Sequence, residues 1–328
     1  MRRTLDVGGV AALPGTRALG DVVAGELPDG TPVRLPLLVL NGADDGPVLW
    51  LGAGLHGTEV PGMEVIRRVV REAVDPARLR GAVVAAPLLN PFSFHQHQML
   101  TPQDGYNLNR VFPGDPEMLL SHRLAALIAR LAAGCDAYLD FHANPTPAME
   151  FSIIRHPGDE ALWRRSRALA EAFGITTIEM APVHERHRTG TFTDMVQGWG
   201  KPCLVLELLA WRRVDPRSLQ TGVRGTLNVM RHLGMLDGAP EPQVDVPVIP
   251  GPLSRIELTA NRGGLVHPLR DPGTAVREGE VIGLIRNPWG DVVEEVRSPR
   301  DGWILAWPLL GTQAVATGDI LSFIAFRP

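Results

Sequence analysis

Short apolar runs alternate with segments of helical period through the first two thirds of this chain, and few architectures accept that alternation. Val33 to Leu40 and Pro47 to Ala53 are apolar runs of strand length, parted by turn-forming residues from Asn41-Gly42 to Gly46. Between residues 60 and 74, Val60, Met63, Ile66, Val69, Val70 and Val74 recur at near-helical spacing with Arg67, Arg68, Arg71 and Glu72 interleaved, which predicts an amphipathic helix. Ala82 to Leu89 reads as a buried strand, Met118 to Ala133 as a helix, and Ala137 to Phe141 as a strand running into His142. Residues 159 to 173 read as a helix, with short strands at Thr176 to Glu179 and Pro202 to Leu208. Strands parted by helices of this length predict an α/β unit with a mixed, largely parallel sheet flanked by helices. In such sheets ligands collect beyond the carboxyl ends of the strands.

The pattern changes after about residue 237. Gly238-Ala239-Pro240-Glu241-Pro242 and Pro247 to Pro252 resist helix continuation and mark a crossing segment. From Ile256 onward, short apolar runs such as Val281 to Ile285 and Ile320 to Ile324 alternate with Gly and Pro turns, and no helical period is visible. The expected division is an α/β domain over residues 1–240 and a small all-β barrel or sandwich over 241–328. Gly273 to Gly283 and Ser298-Pro299-Arg300-Asp301-Gly302 resemble segments of biotinyl and lipoyl domains, but such carriers need a lysine to acylate. Lys201 is the chain's only lysine, so only the barrel shape remains of that likeness.

Composition narrows the partners. A formal net charge of -4 over 328 residues gives no electrostatic reason to expect nucleic acid or an anionic membrane. All but one of the 32 basic residues are arginine, spread along the whole chain rather than gathered into a patch. No apolar run reaches the roughly 18 residues of a membrane span, and Thr4 to Gly9 form no signal-peptide core. Cys135 and Cys203 fall in apolar stretches and read as buried free thiols. A cytoplasmic protein acting on small molecules or peptides is expected, with a homo-oligomer as the base-rate expectation.

Leu55-His56-Gly57-Thr58-Glu59 stands where a strand hands over to a helix, and its histidine and carboxylate are spaced to share one metal ion. Alone, that spacing is common. His142, at the end of a strand in Asp140-Phe141-His142, offers a third ligand, and Glu207, in Leu204-Val205-Leu206-Glu207-Leu208, offers a general base. Two nitrogens and one carboxylate suit an open zinc site that keeps one position for water. Asp140 reads either as a hydrogen-bond acceptor that orients His142 or as part of a plain strand-end turn. His95 and His97 form a second, weaker candidate metal pair, and His184 and His187 lie in a polar loop that reads as solvated or as a pocket border.

The ordered series Gly-Leu-His-Gly-Thr-Glu, Asn90-Pro91, Asp104-Gly105-Tyr106-Asn107-Leu108-Asn109-Arg110-Val111-Phe112-Pro113-Gly114, Asp140-Phe141-His142 and Glu207 resembles the succinylglutamate desuccinylase/aspartoacylase family of the zinc carboxypeptidase superfamily. The resemblance implies a zinc carboxypeptidase-like fold and one Zn2+ held by His56, Glu59 and His142. It implies Glu207 as the general acid/base, and Asn109 with Arg110 as the pair that binds a substrate carboxylate. Arginine suits that task because its planar fork makes two parallel charge-assisted hydrogen bonds to a carboxylate. Asn107 either assists or shapes the loop. One departure stands out: family members commonly carry an arginine between the Asn-Pro and the Asp-Gly, and here none lies between Pro91 and Arg110. Oxyanion stabilisation then falls to zinc, to a histidine or glutamine of residues 95–98, or to an arginine from elsewhere.

The expected function is hydrolysis of the amide bond of an N-acyl amino acid or a similar small N-acyl compound through a metal-activated water. A metallocarboxypeptidase acting on short peptides would use the same groups, and a catalytically impaired protein that binds acyl amino acids is the third reading.

Overall fold

The structure, a computed structural model, describes residues 3–180, 189–307 and 313–328. Among the described residues, ten strands and six α-helices build the first part of the chain. The strands are β1 (Leu5–Val7), β2 (Val10–Ala12), β3 (Thr16–Glu26), β4 (Pro32–Asn41), β5 (Asp44–Ala53), β6 (Arg80–Ala86), β7 (Ala137–Asn144), β8 (Phe151–Arg155), β9 (Thr176–Met180) and β10 (Cys203–Leu209). The helices are α1 (Pro61–Arg68), α2 (Pro91–His95), α3 (Leu120–Ala132), α4 (Glu160–Phe173), α5 (Phe192–Gly198) and α6 (Pro216–His232).

Eight of these strands form one mixed sheet in the order β3-β4-β6-β5-β7-β10-β8-β9, with β1 and β2 a separate ribbon. The pairs β5/β6, β5/β7, β7/β10 and β8/β9 are parallel, whereas β3/β4, β4/β6 and β8/β10 are antiparallel. Its central strands are buried on both faces, which explains why they read as continuous apolar runs. On one face α1, α4 and α6 enclose Val65, Ile66, Leu139, Phe173, Leu206 and Met230. On the other, α3 and α5 pack over Trp50, Tyr138, Leu124, Ile128 and Phe192.

The helical period at 60–74 resolves into α1 followed by a wider π turn over Val69–Ala73. Arg17 on β3 donates to the carbonyl oxygens of Arg71 and Val74 at the end of that turn, at 2.6 and 3.1 Å. Strands β1, β2, β3 and β8 and helices α2, α5 and α6 have no counterpart in the sequence reading. Helix α6 is capped at its start by the Asp215 carboxylate, which accepts from the backbone N–H groups of Arg217 and Ser218, with Pro216 in the first turn.

The crossing segment lies along α6 and α4. Asn228 exchanges two hydrogen bonds with the backbone of Glu241, and Gln243 donates to the carbonyl of Phe173. Beyond it come β11 (Ser254–Thr259), β12 (Gly264–Pro268), β13 (Ala275–Val276), β14 (Val281–Arg286), β15 (Val292–Arg297), β16 (Gly302–Ala306), β17 (Ala314–Val315) and β18 (Ile320–Phe326). They form two four-stranded antiparallel sheets, β11-β18-β16-β13 and β15-β14-β12-β17, around Val266, Ile282, Ile304, Trp307 and Ile324. This β unit is joined to the edge of the large sheet. Met149, Phe151, Ile153 and Val205 pack with Leu253, Leu305, Phe323 and Ala325. Glu179 donates its backbone N–H to Leu253 O, and Met149 to Leu305 O, at 2.7 and 2.9 Å.

Among the described residues no helix is long and apolar enough to cross a membrane. Cys135 and Cys203 are free and buried, 1% exposed each.

Candidate active site

Three elements bring the predicted ligands together. Strand β5 ends at Ala53, and the turn that leads into α1 carries His56 and Glu59. The turn is tight: Glu59 donates its N–H to His56 O, and Gly57 donates to Gln98 O. Gly57 is required here because a Cβ at this position would lie 2.2 Å from the backbone carbon of Ser93 at the start of α2. That helix start is fixed by Asn90, which accepts from Ser93 N and donates to Thr101 Oγ1, with Pro91 in the first turn. The Asn90-Pro91 pair is thus a helix cap pressed under the turn that carries His56 and Glu59. Replacing Gly57 with alanine should lower stability by about 3 kcal/mol, because neither backbone can yield. A thermal melt of Gly57→Ala within a few tenths of a degree of the parent would show the turn to be looser than its contacts require.

His142 comes from β7 and Glu207 from the neighbouring β10, directly opposite each other in the parallel register. His56, Glu59 and His142 are buried at 7%, 4% and 5% exposure, and their ligand atoms all lie within 4.8 Å of one another. Both imidazoles turn Nδ1 inward: His56 Nδ1 is 2.8 Å from Glu59 Oε1, and His142 Nδ1 is 2.8 Å from Glu59 Oε2. The outer Nε2 atoms face oxygen acceptors, Asn107 Oδ1 at 3.1 Å and Asp140 Oδ2 at 3.1 Å. An N–H on Nε2 would leave a lone pair on Nδ1, the tautomer a metal ion needs. This donor set of two imidazole nitrogens and a carboxylate, closed on the protein side and bordering a cleft, fits a zinc-type ion.

The electrostatics agree with a cation site. Burial works against ionisation of Glu59, but the positive fields of His56 and His142 prevail and hold its carboxyl at about 2. Burial likewise opposes a charged His142, yet Asp140 and Glu59 outweigh it and hold the imidazole well above its usual value. Both shifts record a pocket that draws positive charge to Glu59.

Glu207 has the opposite character. Desolvation at the foot of the cleft pushes its carboxyl up to about 7, with His142 pulling down, Glu59 adding to the rise and Arg255 opposing it. Asn144, two residues beyond His142 on the same strand, donates to Glu207 Oε2 at 3.1 Å and fixes the carboxylate. A carboxyl poised near neutrality beside a candidate metal site is suited to proton transfer.

The Asn-Leu-Asn-Arg element is divided in its work. Asn107 Oδ1 accepts from Asn109 N and from the His56 ring, so it shapes the loop and steadies a ligand. Asn109 Oδ1 accepts from Phe192 N at the start of α5, and its amide nitrogen lies 3.3 Å from His142 Nε2. Asn109 thus lines the cleft wall with its Oδ1 taken by the start of α5. Arg110 is exposed at the rim, with Nη1 donating to Asn109 O.

These groups line one cleft of about 240 Å³, closed by residues the sequence reading did not single out. Arg155 and Thr193 enter it, along with Ile153 and Val205 from the sheet and Trp211 from beyond β10; Arg255, Ile320 and Phe323 come from the β unit. Asn144 was detectable as the residue two beyond His142, on the same strand face. Arg155 ends the apolar run Phe151-Ser152-Ile153-Ile154, and a charge at the end of a buried strand was its only signal. Arg255 gave none, since Ser254-Arg255-Ile256-Glu257 reads as an ordinary half-solvated strand.

His95, Gln96, His97 and Gln98 are exposed and do not line the cleft; only Met99 of that segment does. The second metal pair considered at His95 and His97 does not join the cluster. His184 and His187 lie outside the described residues.

Comparison with known proteins gives this site a lineage. The chain is 27% identical over 302 residues to the N-alpha-acetyl-L-2,4-diaminobutyric acid deacetylase of Halomonas elongata, covering 89% of this chain and 86% of that one. The crystal structure of a succinylglutamate desuccinylase/aspartoacylase from Rhodobacter sphaeroides superposes with a TM-score of 0.84 at 28% identity, over 94% of this chain and 95% of that one. A metallo-carboxypeptidase from Burkholderia cenocepacia shares part of the fold, with a TM-score of 0.52 at 22% identity over 66% and 65% of the two chains. The profile of the Succinylglutamate desuccinylase/Aspartoacylase catalytic domain matches residues 45–233, a span that holds the whole ligand cluster and Glu207. On that match the chain belongs to the succinylglutamate desuccinylase/aspartoacylase family of deacylases.

Proposed function

We propose that this protein is a zinc-dependent deacylase that hydrolyses the amide bond of a small N-acyl amino acid. The observation that carries the reading is the convergence of His56 Nδ1, His142 Nδ1 and the Glu59 carboxylate beside a separate carboxyl, Glu207, held by Asn144. His56, Glu59 and His142 would hold the ion, whose Lewis acidity lowers the pKa of a water and polarises an amide carbonyl. Glu207 takes the proton of the attacking water and returns it to the leaving nitrogen, a role that its pKa of about 7 supports near neutrality. Asn144 keeps the accepting oxygen in place. Arg110 at the rim binds the substrate carboxylate through its guanidinium fork.

The Halomonas relative is named for a small N-acetyl amino acid, which supports the same substrate size here. The β unit favours it over peptide cleavage, because Arg255, Ile320 and Phe323 wall the cleft and leave about 240 Å³. The test is metal analysis of the purified chain together with a panel of N-acetyl, N-succinyl and N-formyl amino acids. One zinc per chain with hydrolysis of a member of the panel is expected. A chain without zinc that stays inactive after zinc is added would be a binding protein instead.

A pH profile follows from Glu207. The group works as a base only when ionised, so kcat/KM should fall as pH drops below about 7 and level off above it. A profile flat from pH 5 to 8 would remove Glu207 from the proton-transfer step.

A further inference from the structure

Backbone strain gathers at one junction beside the cleft. Among the described residues, the non-glycine positions with left-handed backbone are His97, Ala210, Arg212 and Asp245, at φ of 51°, 77°, 57° and 57°. A side chain crowds the backbone at such angles, so they persist only where surrounding contacts enforce them. Three of the four come together here. Ala210 and Arg212 flank Trp211 in the turn that leaves β10, just beyond Glu207, and Arg212 Nη2 donates to His97 O at 2.9 Å. Trp211 lines the cleft, whereas Ala210 and Arg212 do not.

The hydrogen bonds of this turn end on the segments that carry the candidate ligands. Ala210 N–H donates to Asn144 O at 2.9 Å and the Trp211 indole N–H to Ala143 O at 2.7 Å, so both grip β7 just beyond His142. Arg212 N–H donates at 2.8 Å to the carbonyl of Thr58, the residue before Glu59 in the ligand turn. That turn is also tied through Gly57 N–H to Gln98 O, next to the His97 carbonyl that takes the Arg212 guanidinium. Arg212 therefore holds the turn with its backbone and the turn's support with its side chain. Moving Ala210 or Arg212 to negative φ would redirect the chain and take the Arg212 N–H away from Thr58 O. The strained angles are what allow one short turn to reach both β7 and the ligand turn.

We propose that Trp211 and Arg212 are positioning residues for the reaction. Their turn clamps the His56–Glu59 turn and the end of β7 to the strand that carries Glu207, so that the ligands and the base keep one fixed separation. The inference rests on the zinc deacylase reading and deepens it. Neither residue transfers a proton or binds the ion; both act through the backbone on either side of groups that do. Misplacing catalytic groups by about 1 Å can lower a rate about a hundredfold, which gives such a clamp a measurable effect.

Three measurements on the full chain test the clamp: zinc affinity by chelator competition, the melting temperature of the zinc-free protein, and kcat and KM at saturating zinc. Trp211→Phe keeps an aromatic ring in the cleft wall and deletes the donor to Ala143 O. Arg212→Gly releases His97 O and frees the backbone at a φ that glycine adopts without strain. In both variants zinc affinity should fall about tenfold, the lower end for partners that lie beyond the ligands, and kcat about ten- to a hundredfold. KM of Arg212→Gly should stay within about threefold, since residue 212 does not line the cleft. Its melting temperature should hold or rise, because the strain is relieved and the lost side chain is exposed. A turn that serves folding alone gives the reverse pattern, with zinc affinity and kcat of the folded variants within about threefold of wild type. That result overturns the proposal. Should Trp211→Phe fail to fold, Arg212→Gly decides it. A wild-type chain that binds zinc but hydrolyses no N-acyl amino acid sinks the deacylase reading, while the zinc affinities still judge the clamp; one that binds no zinc overturns both.

Discussion

Glu207→Gln should lower kcat by about 10²–10⁴-fold, the range of a general base, and leave the bound metal in place. The substitution keeps the shape of the side chain and retains an oxygen to accept from Asn144 Nδ2, now 3.1 Å from Glu207 Oε2. Only the proton-accepting capacity is lost. Stability should not fall, because the carboxyl pays a desolvation cost in the cleft that raises its pKa to about 7, and a neutral amide avoids it. Single-turnover kinetics, metal analysis and a thermal melt on one preparation measure all three quantities. A variant that kept its rate would exclude Glu207 as the base. One that lost its metal would make Glu207 a ligand.

The sequence made the ligand cluster legible because each member sits at a punctuation point of the fold. His56 and Glu59 occupy a strand-to-helix turn, His142 and Glu207 lie near the carboxyl ends of adjacent strands, and the large sheet sets the last two side by side. Local pattern and topology point the same way there. The cleft's remaining wall was not legible, for a physical reason. Arg155 is placed by β8, a five-residue strand whose apolar run is too short to announce itself between two loops. Arg255 enters only because the β unit docks against β8 and β9 through Leu253 and Phe323, a long-range contact with no local signature. The segment from His95 to Gln98 appeared chemically rich in the sequence, yet it is solvent-exposed and contributes only Met99, just beyond it, to the cleft. The arginine absent between Pro91 and Arg110 thus has no substitute within its own segment. The guanidinium groups of this cleft come from the sheet and from the β unit.

His142→Ala is the counterpart to Glu207→Gln and should do the reverse, releasing the metal. Loss of an outer partner of a metal ligand costs about 10–100-fold in affinity, and removal of one of three ligands should cost more than that. Asp140→Asn provides the internal scale, because Asp140 touches the ion only through His142 Nε2 at 3.1 Å. The order of affinities should be wild type and Glu207→Gln together, Asp140→Asn below them, and His142→Ala lowest. Competition against a chromogenic chelator reads that order directly. His142→Ala should also melt lower even without metal, since it strips the partner from Glu59 Oε2 and from Asp140, which is 1% exposed. Breaking such a buried pair costs about 3–5 kcal/mol. Bound metal adds stability in proportion to the logarithm of its concentration over Kd, about 2.7 kcal/mol at a hundredfold excess. Added zinc should therefore raise the melting temperature of the wild type and of Glu207→Gln but not of His142→Ala. Zinc raising all three equally would place the ion somewhere other than between His56, Glu59 and His142.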